Sequence, residues 1–341
     1  MSTQFPNLLS PFRVGNTIVK NRMAYPNASP HFFQGPETFP AEGYRSFQAR
    51  LARNGAAIIS VSEWCDYPDQ RKGNSDDGKR MQAFDLTDPS VHNYLSQMAD
   101  EVHFYGSKLL VHIGVSFPDG YSLRGGKSFH PAFGPHETKA LPKERLHEVI
   151  DAYLERAALY KRCGFDGVAM RWDMDMQPPE TDRDDEYGGN DVVSRMRFYL
   201  ELFTKVKETF GKGFLVEACF AGEQPYGYGG NVPNGYTLDD AIQMGLALNG
   251  IADIIQIREK DMALAHPISY NFKKGVHPTV EYAAAMKKAG VKAMLAPNGG
   301  FQDPEELERY IAEGKCDMFY MARAFIADYE FVKKIEAGTP E

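Results

Sequence analysis

No stretch of the 341 residues approaches the roughly 20 consecutive apolar positions that a membrane-spanning helix needs, so a helical membrane protein is excluded. The opening residues lack the charged, apolar and small-residue succession of a secretory leader; a soluble, cytoplasmic protein is the expectation. Cysteine is scarce. Cys65, Cys163, Cys219 and Cys316 stand far apart, with no Cys-x-x-Cys pair, so no iron–sulfur cluster or zinc site is expected from them, only buried thiols in a reducing compartment. His31, His130, His136, His266 and His277 show no ligand spacing, and no metal is expected. Positive charge is also short, with 38 Lys and Arg against 46 Asp and Glu; a net charge of -8 leaves no electrostatic footprint for nucleic acid. Low-complexity tracts and linkers are missing too, so residues 1–341 read as a single domain.

What is present is an alternation of short β-branched runs with longer amphipathic stretches, the mark of repeated βα units. Eight runs read as strands: Met23–Ala28, Ala57–Ser62, Leu109–Ile113, Gly167–Arg171, Phe214–Cys219, Asp253–Ile257, Ala293–Pro297 and Met318–Met321. Leu146–Cys163 reads as a helix, and Asp303-Pro304-Glu305-Glu306 as a capped helix start. Eight units in a chain of this length predict an α/β fold, a (β/α)8 TIM barrel. Long segments rich in Gly, Pro, Tyr and Asp follow five strands (29–42, 63–89, 115–142, 172–193 and 220–234); all belong on the face where barrels build their chemistry. Asn298-Gly299-Gly300-Phe301 follows the seventh strand and Ala322-Arg323 the eighth. Glycine amides with a nearby guanidinium suit a phosphate, and barrels often hold one there.

Several motifs resemble the old yellow enzyme family. They are Leu9-Ser10-Pro11-Phe12-Arg13-Val14-Gly15-Asn16 with Val19-Lys20-Asn21-Arg22; Gly164-Phe165-Asp166-Gly167-Val168; Arg183-Asp184-Asp185-Glu186-Tyr187-Gly188-Gly189 with Arg195-Met196-Arg197-Phe198; and Gly299-Gly300-Phe301 with Ala322-Arg323-Ala324-Phe325-Ile326-Ala327-Asp328. The barrel is similar to the N-terminal domain of 2,4-dienoyl-CoA reductase-type enzymes. Those continue into an iron–sulfur segment and a second flavin domain; this chain ends at Glu341, near where that segment starts, and is expected to be the barrel alone. The resemblance implies FMN as cofactor and NADH or NADPH as reductant. It implies Pro26, Asn27, Ala28 and Ser62 along the flavin, His112 at its pyrimidine edge in place of a Gln, and Asn298, Gly299, Gly300, Ala322 and Arg323 at its phosphate.

The sequence also departs from the family. A carbonyl-binding His-x-x-His or His-x-x-Asn pair and a Tyr are expected after strand four; here Arg171, Met174 and Met176 stand in their places. Glu217 replaces an Arg beside the flavin N1–O2 edge, and Arg258 is a candidate to restore the charge. Arg171 is the candidate to stabilise negative charge on a substrate carbonyl, the alternative being a salt bridge to Asp173 or Asp175. Asp173, Asp175, Tyr25, Tyr226 and Tyr228 are candidate proton donors. Trp64, Phe117, Tyr121, Trp172, Tyr226 and Tyr228 suit a flat conjugated ligand or ordinary loop packing. The expected function is an ene-reductase acting on a planar conjugated enone, with a flavonoid favoured over a bile pigment or steroid. A redox-neutral isomerase and a non-catalytic subunit of an electron-transfer complex are the alternatives, and a homo-oligomer is possible.

Overall fold

Each of the eight β-branched runs contains a strand: β1 Met23–Ala24, β2 Ile58–Ser62, β3 Lys108–His112, β4 Gly167–Arg171, β5 Leu215–Ala221, β6 Ile254–Arg258, β7 Met294–Pro297 and β8 Phe319–Tyr320. The structure is a computed structural model and describes residues 4–28, 37–62, 84–115, 117–130, 134–171, 183–189, 191–226, 233–259 and 277–339. Strand one stops short of the expected Ala28. The proline at 26 has no N–H to give to a ladder, so pairing shrinks to two residues and a bridge at Tyr25. Strand five runs two residues past its expected end, to Ala221.

Every pairing among these strands is parallel. The second to seventh form one sheet in chain order, and β8 pairs with β1. Single parallel bridges, Tyr25 to Ile59 and Asn298 to Tyr320, tie that pair to β2 and to β7. The result is an α/β fold with a curled parallel sheet. Parallel neighbours need a crossover, and helices supply it: α1 Glu42–Arg53, α2 Pro89–Phe104, α3 Leu146–Arg162, α4 Arg197–Phe210, α5 Leu238–Ala247, α6 Pro278–Ala289, α7 Pro304–Ala312 and α8 Phe331–Ala337. Asp303 caps α7 by accepting from Glu305 N at 3.0 Å, as its sequence predicts, and Thr237 with Asp240 forms a capping box on α5.

Apolar side chains divide into two cores. The larger lies between strands and helices; the smaller contains Ala24, Ile58, Leu110, Leu215, Ile254, Ala296, Met318 and Tyr320 from inside the curl. Val14 and Val19, from a hairpin of Phe12–Val14 and Thr17–Val19, join the inner core.

One device recurs at three of the four even-numbered strands. Asp166 and Asp253 directly precede β4 and β6, Asp317 stands two residues before β8, and each accepts a backbone N–H from the odd-numbered strand beside it: Leu109 at 2.9 Å, Val216 at 2.8 Å and Leu295 at 2.9 Å. Lys108, Lys207 and Lys287, respectively, pair with the same carboxylates. Burial works against the Asp166 carboxylate, yet hydrogen bonds from His103 and Leu109 N, with Lys108 close by, hold its pKa below the ordinary value. Replacing Asp253 with Ala is expected to cost about 1.5 to 3 kcal/mol of unfolding free energy, the range for hydrogen bonds to charged groups. Urea unfolding measures it, and a midpoint equal to that of the parent would show that the clamp carries no stability.

Two segments read as loops contain strands. After β3, Gly126–His130 and Gly134–Ala140 form an antiparallel hairpin, with Tyr121–Ser122 added alongside; after β5, Gln224–Tyr226 pairs with Pro233–Tyr236. Arg183, 6% exposed, ties down the first: its Nε donates to Leu123 O at 2.7 Å and its Nη2 to Leu141 O. Arg183 is thus buried within an acid-rich turn whose Asp184 and Glu186 stay on the outside.

Candidate functional site

Side chains alternate along a strand, so every second residue faces into the curl. With one residue of stagger per neighbouring strand, the registers sort these residues into levels. Ser60, Ala169, Gln256 and Tyr320 share one level. The next, toward the strands' C-terminal ends, holds positions 26, 112, 219 and 298. The rim holds positions 62, 171, 258 and 322. The backbone thus brings Pro26, Ser62, His112, Arg171, Arg258, Asn298 and Ala322 to one end of the curl, from strands spread over the whole chain.

At that end the Ser62 hydroxyl donates to Asn27 Oδ1 at 2.7 Å, joining the first two strands, and Ala28 N donates to Pro26 O at 2.6 Å. His112 is half-buried, in register between Ser62 and Ala169. Arg258 is 9% exposed and in register with Ala221. Arg171 closes β4 opposite Cys219. Asp173, Asp175, Tyr228, Trp64 and Trp172 lie outside the described residues.

Tyr25 is not a proton donor to this end. In register with Ile59 it faces outward, is 1% exposed, donates its hydroxyl to Ala28 O at 2.7 Å and meets the rings of Phe47 and Phe325 edge-on. Burial raises its pKa further. Phe117 packs on Phe198 with centroids 6.0 Å apart, and His277 pairs with Glu306 and lies 4.8 Å from the Phe301 ring.

The two segments read as a phosphate cradle do meet. Asn298 bridges to Tyr320, Gly299 N points to Tyr320 O at 3.4 Å, and Arg323, half-buried, opens the short helix that follows. A Cβ added at Gly299 would meet Thr279 Oγ1 at 3.7 Å and the Phe301 ring at 3.8 Å, ordinary contacts, so these two side chains are the near neighbours of this glycine. Thr279, buried at the start of α6, is a neighbour that sequence reading did not identify. Its signal was its place after a Pro at a helix N-terminus, where amides and a hydroxyl suit an anion.

Deeper in the curl, Glu217 is 1% exposed and accepts a hydrogen bond from the Tyr320 hydroxyl, with Ser60 beside both. Burial pushes its carboxyl pKa up to about 7. Gln256 Nε2 is buried and has no hydrogen-bond partner among the described residues, an orphan donor that a bound group or a water would satisfy. Among the described residues no group of three His, Cys, Asp or Glu is arranged to hold a metal, and no helix is long and apolar enough to cross a membrane.

A parallel α/β sheet whose last two strand ends meet beside glycines and an arginine has the layout in which such folds commonly bind a phosphorylated ligand. The family model "NADH:flavin oxidoreductase / NADH oxidase family" matches residues 7–341, and the chain belongs to this family of FMN enzymes, the old yellow enzymes. It is 27% identical to the NADH oxidase of Thermoanaerobacter brockii over 352 aligned positions, covering 98% of this chain and 52% of that protein. It is 25% identical to the multifunctional alkene reductase/demethylase OYE of Caballeronia cordobensis, covering 97% and 49%. Among solved structures, 2-naphthoyl-CoA reductase superposes with a TM-score of 0.80 at 20% identity over 99% of this chain and 53% of the other. The chain spans about half the length of these relatives.

Proposed function

We propose that residues 1–341 are one closed (β/α)8 barrel that binds FMN and reduces the activated C=C of a planar conjugated enone with NADH or NADPH. Closure is supported by the registers: stepping from Glu217 through all eight strands with one residue of stagger each returns to Glu217. The single observation that carries the cofactor is the meeting of Asn298-Gly299 with the end of β8, which leads directly into Ala322-Arg323, in a chain of an FMN family.

When bound, FMN supplies a two-electron carrier that takes hydride from the nicotinamide and gives it to the olefin. The chain's own residues do the rest. Gly299, Gly300 and Arg323 hold the phosphate; Pro26, Asn27, Ala28, Ser62 and His112 line the ring system. Arg258, at the rim, is proposed to supply the positive charge that Glu217 does not. Arg171, at the end of β4, holds the substrate carbonyl oxygen and opposes the charge that grows there, with Asp173 or Asp175 returning a proton. A flavonoid remains the favoured enone.

An absorption spectrum of the purified protein tests this first. Flavin bands that bleach with NADH under anaerobic conditions and return on addition of a flavone are expected; a colourless protein that takes up no added FMN overturns the reading. Substrate turnover without bleaching would select a redox-neutral isomerase instead. Arg323→Ala is expected to weaken FMN binding about tenfold or more, about 1.4 kcal/mol, because a charge-assisted phosphate contact is lost. Flavin retained at native affinity would remove Arg323 from the cradle.

A further inference from the structure

The interior of the curl is an unusual place for a carboxyl. Glu217 comes from β5, one level below Tyr320, and around it are Ala24, Leu110, Ile254 and Ala296, all apolar. Its neighbours at the level above are Ser60, Gln256 and Tyr320, three neutral polar groups from three strands, with the small Ala169 from a fourth. The Tyr320 hydroxyl is directed at it as a donor, and the nearby Ser60 hydroxyl also favours its charged form. The titratable or charged residues on the inward-facing positions above are His112 on β3, Arg171 on β4, Cys219 on β5 and Arg258 on β6; β1, β2 and β7 present none there.

We propose that Glu217 is a redox-linked proton acceptor: when hydride is delivered at the mouth, its carboxylate takes one proton from solvent and keeps the buried interior free of accumulated negative charge. The inference rests on the reading that the mouth binds FMN. The balance is simple. The nicotinamide supplies two electrons and one proton as hydride; hydronium from bulk solvent supplies the second proton, its O–H bond breaking as one forms on Glu217 and neutral water being left behind. Two negative charges in one apolar enclosure repel strongly, because little solvent screens them. A neutral acid removes the repulsion. Tyr320 sets the starting point, since its hydroxyl stabilises the carboxylate by hydrogen bonding. Burial already brings the resting carboxyl to about 7, so a modest further rise moves it from partly ionised to protonated near neutral pH. Glu217 touches no substrate here; it acts by positioning a proton.

The test is the midpoint potential of the FMN-loaded protein against pH, for the native chain and for Glu217→Gln. Glutamine is isosteric and still accepts from Tyr320, so the interior keeps its packing. Between about pH 7 and 8 the native slope is expected to exceed the variant's, by up to about 30 mV per pH unit for one proton per two electrons. Equal slopes overturn the proposal. An independent reading comes from the infrared carbonyl band of the neutral acid. It should titrate near neutrality in the flavin-free protein, be absent in Glu217→Gln, and titrate at higher pH in Tyr320→Phe. A carboxyl ionised throughout that range overturns the proposal as well. A protein that takes up no FMN fails the functional reading together with this one, and the missing flavin absorption distinguishes that case from equal slopes.

Discussion

At pH 8 the flavin-free Glu217→Gln variant is expected to be more stable than the native chain by about 3 kcal/mol at most, and below about pH 4.5 this advantage should be gone. Burial holds the folded carboxyl near 7 against 4.5 for an ordinary glutamate, so the unfolded chain releases this proton more readily than the fold does. The neutral acid therefore contributes its full stability below about 4.5, and that contribution drains away as pH rises through 7. Each pKa unit is worth about 1.36 kcal/mol. Glutamine cannot ionise, so it escapes the loss. Denaturant titrations of both proteins from pH 4 to 8 measure the gap. A gap that does not widen with pH would mean that Glu217 ionises as freely inside the fold as outside it.

The second large effect belongs to the substrate. Arg171→Ala is expected to lower enone turnover about 100- to 1,000-fold, the usual cost of removing one group that stabilises a developing oxyanion. Hydride arriving at the β-carbon of an enone pushes negative charge onto the carbonyl oxygen, and a cation at the end of β4 opposes it most strongly in the transition state. The loss should fall on kcat more than on KM, and FMN content should stay at its native level. Arg171→Lys keeps the charge and loses the planar fork, so it should recover only part of the rate. Loss of flavin with the arginine would reassign Arg171 to the cofactor; unchanged turnover would leave it paired with the acids that follow it in sequence.

How much of this was legible beforehand follows from what each signal measures. Strand identity was, because β-branched runs such as Ile58–Val61 and Ile254–Ile257 are buried on both faces of a parallel sheet and read as mainly apolar stretches, each broken by one polar residue. Strand ends were less so. Only pairing partners decide where a ladder stops, as at Tyr25 and Ala221. That the segments after β7 and β8 would meet could be read, because glycine pairs at strand ends mark close backbone approach. The interior polar set could not. Glu217 was identified as an odd residue for its position, but nothing local announces that Ser60, Gln256 and Tyr320, from three other strands, would surround it. The carboxylate clamps had a signal that went unused: Asp stands just before the strand in Phe165-Asp166-Gly167, Ala252-Asp253-Ile254 and Cys316-Asp317-Met318. The hairpins after β3 and β5 were hidden by a Gly- and Pro-rich composition that reads as loop.

Arg183 fixes more than a turn. By accepting its two bonds, the carbonyls of Leu123 and Leu141 become the two ends of a drawn purse, closed by one guanidinium together with the Tyr121–Ser122 pairing. The separation of those ends is thereby set independently of what the intervening hairpin contains. A longer or differently composed hairpin would alter the rim of the mouth without pulling on β3 or α3, since the cost of closing the excursion grows only slowly with its length. The strands can stay constant while this flap is rewritten, which gives the scaffold a replaceable part at the place where a substrate would first be met.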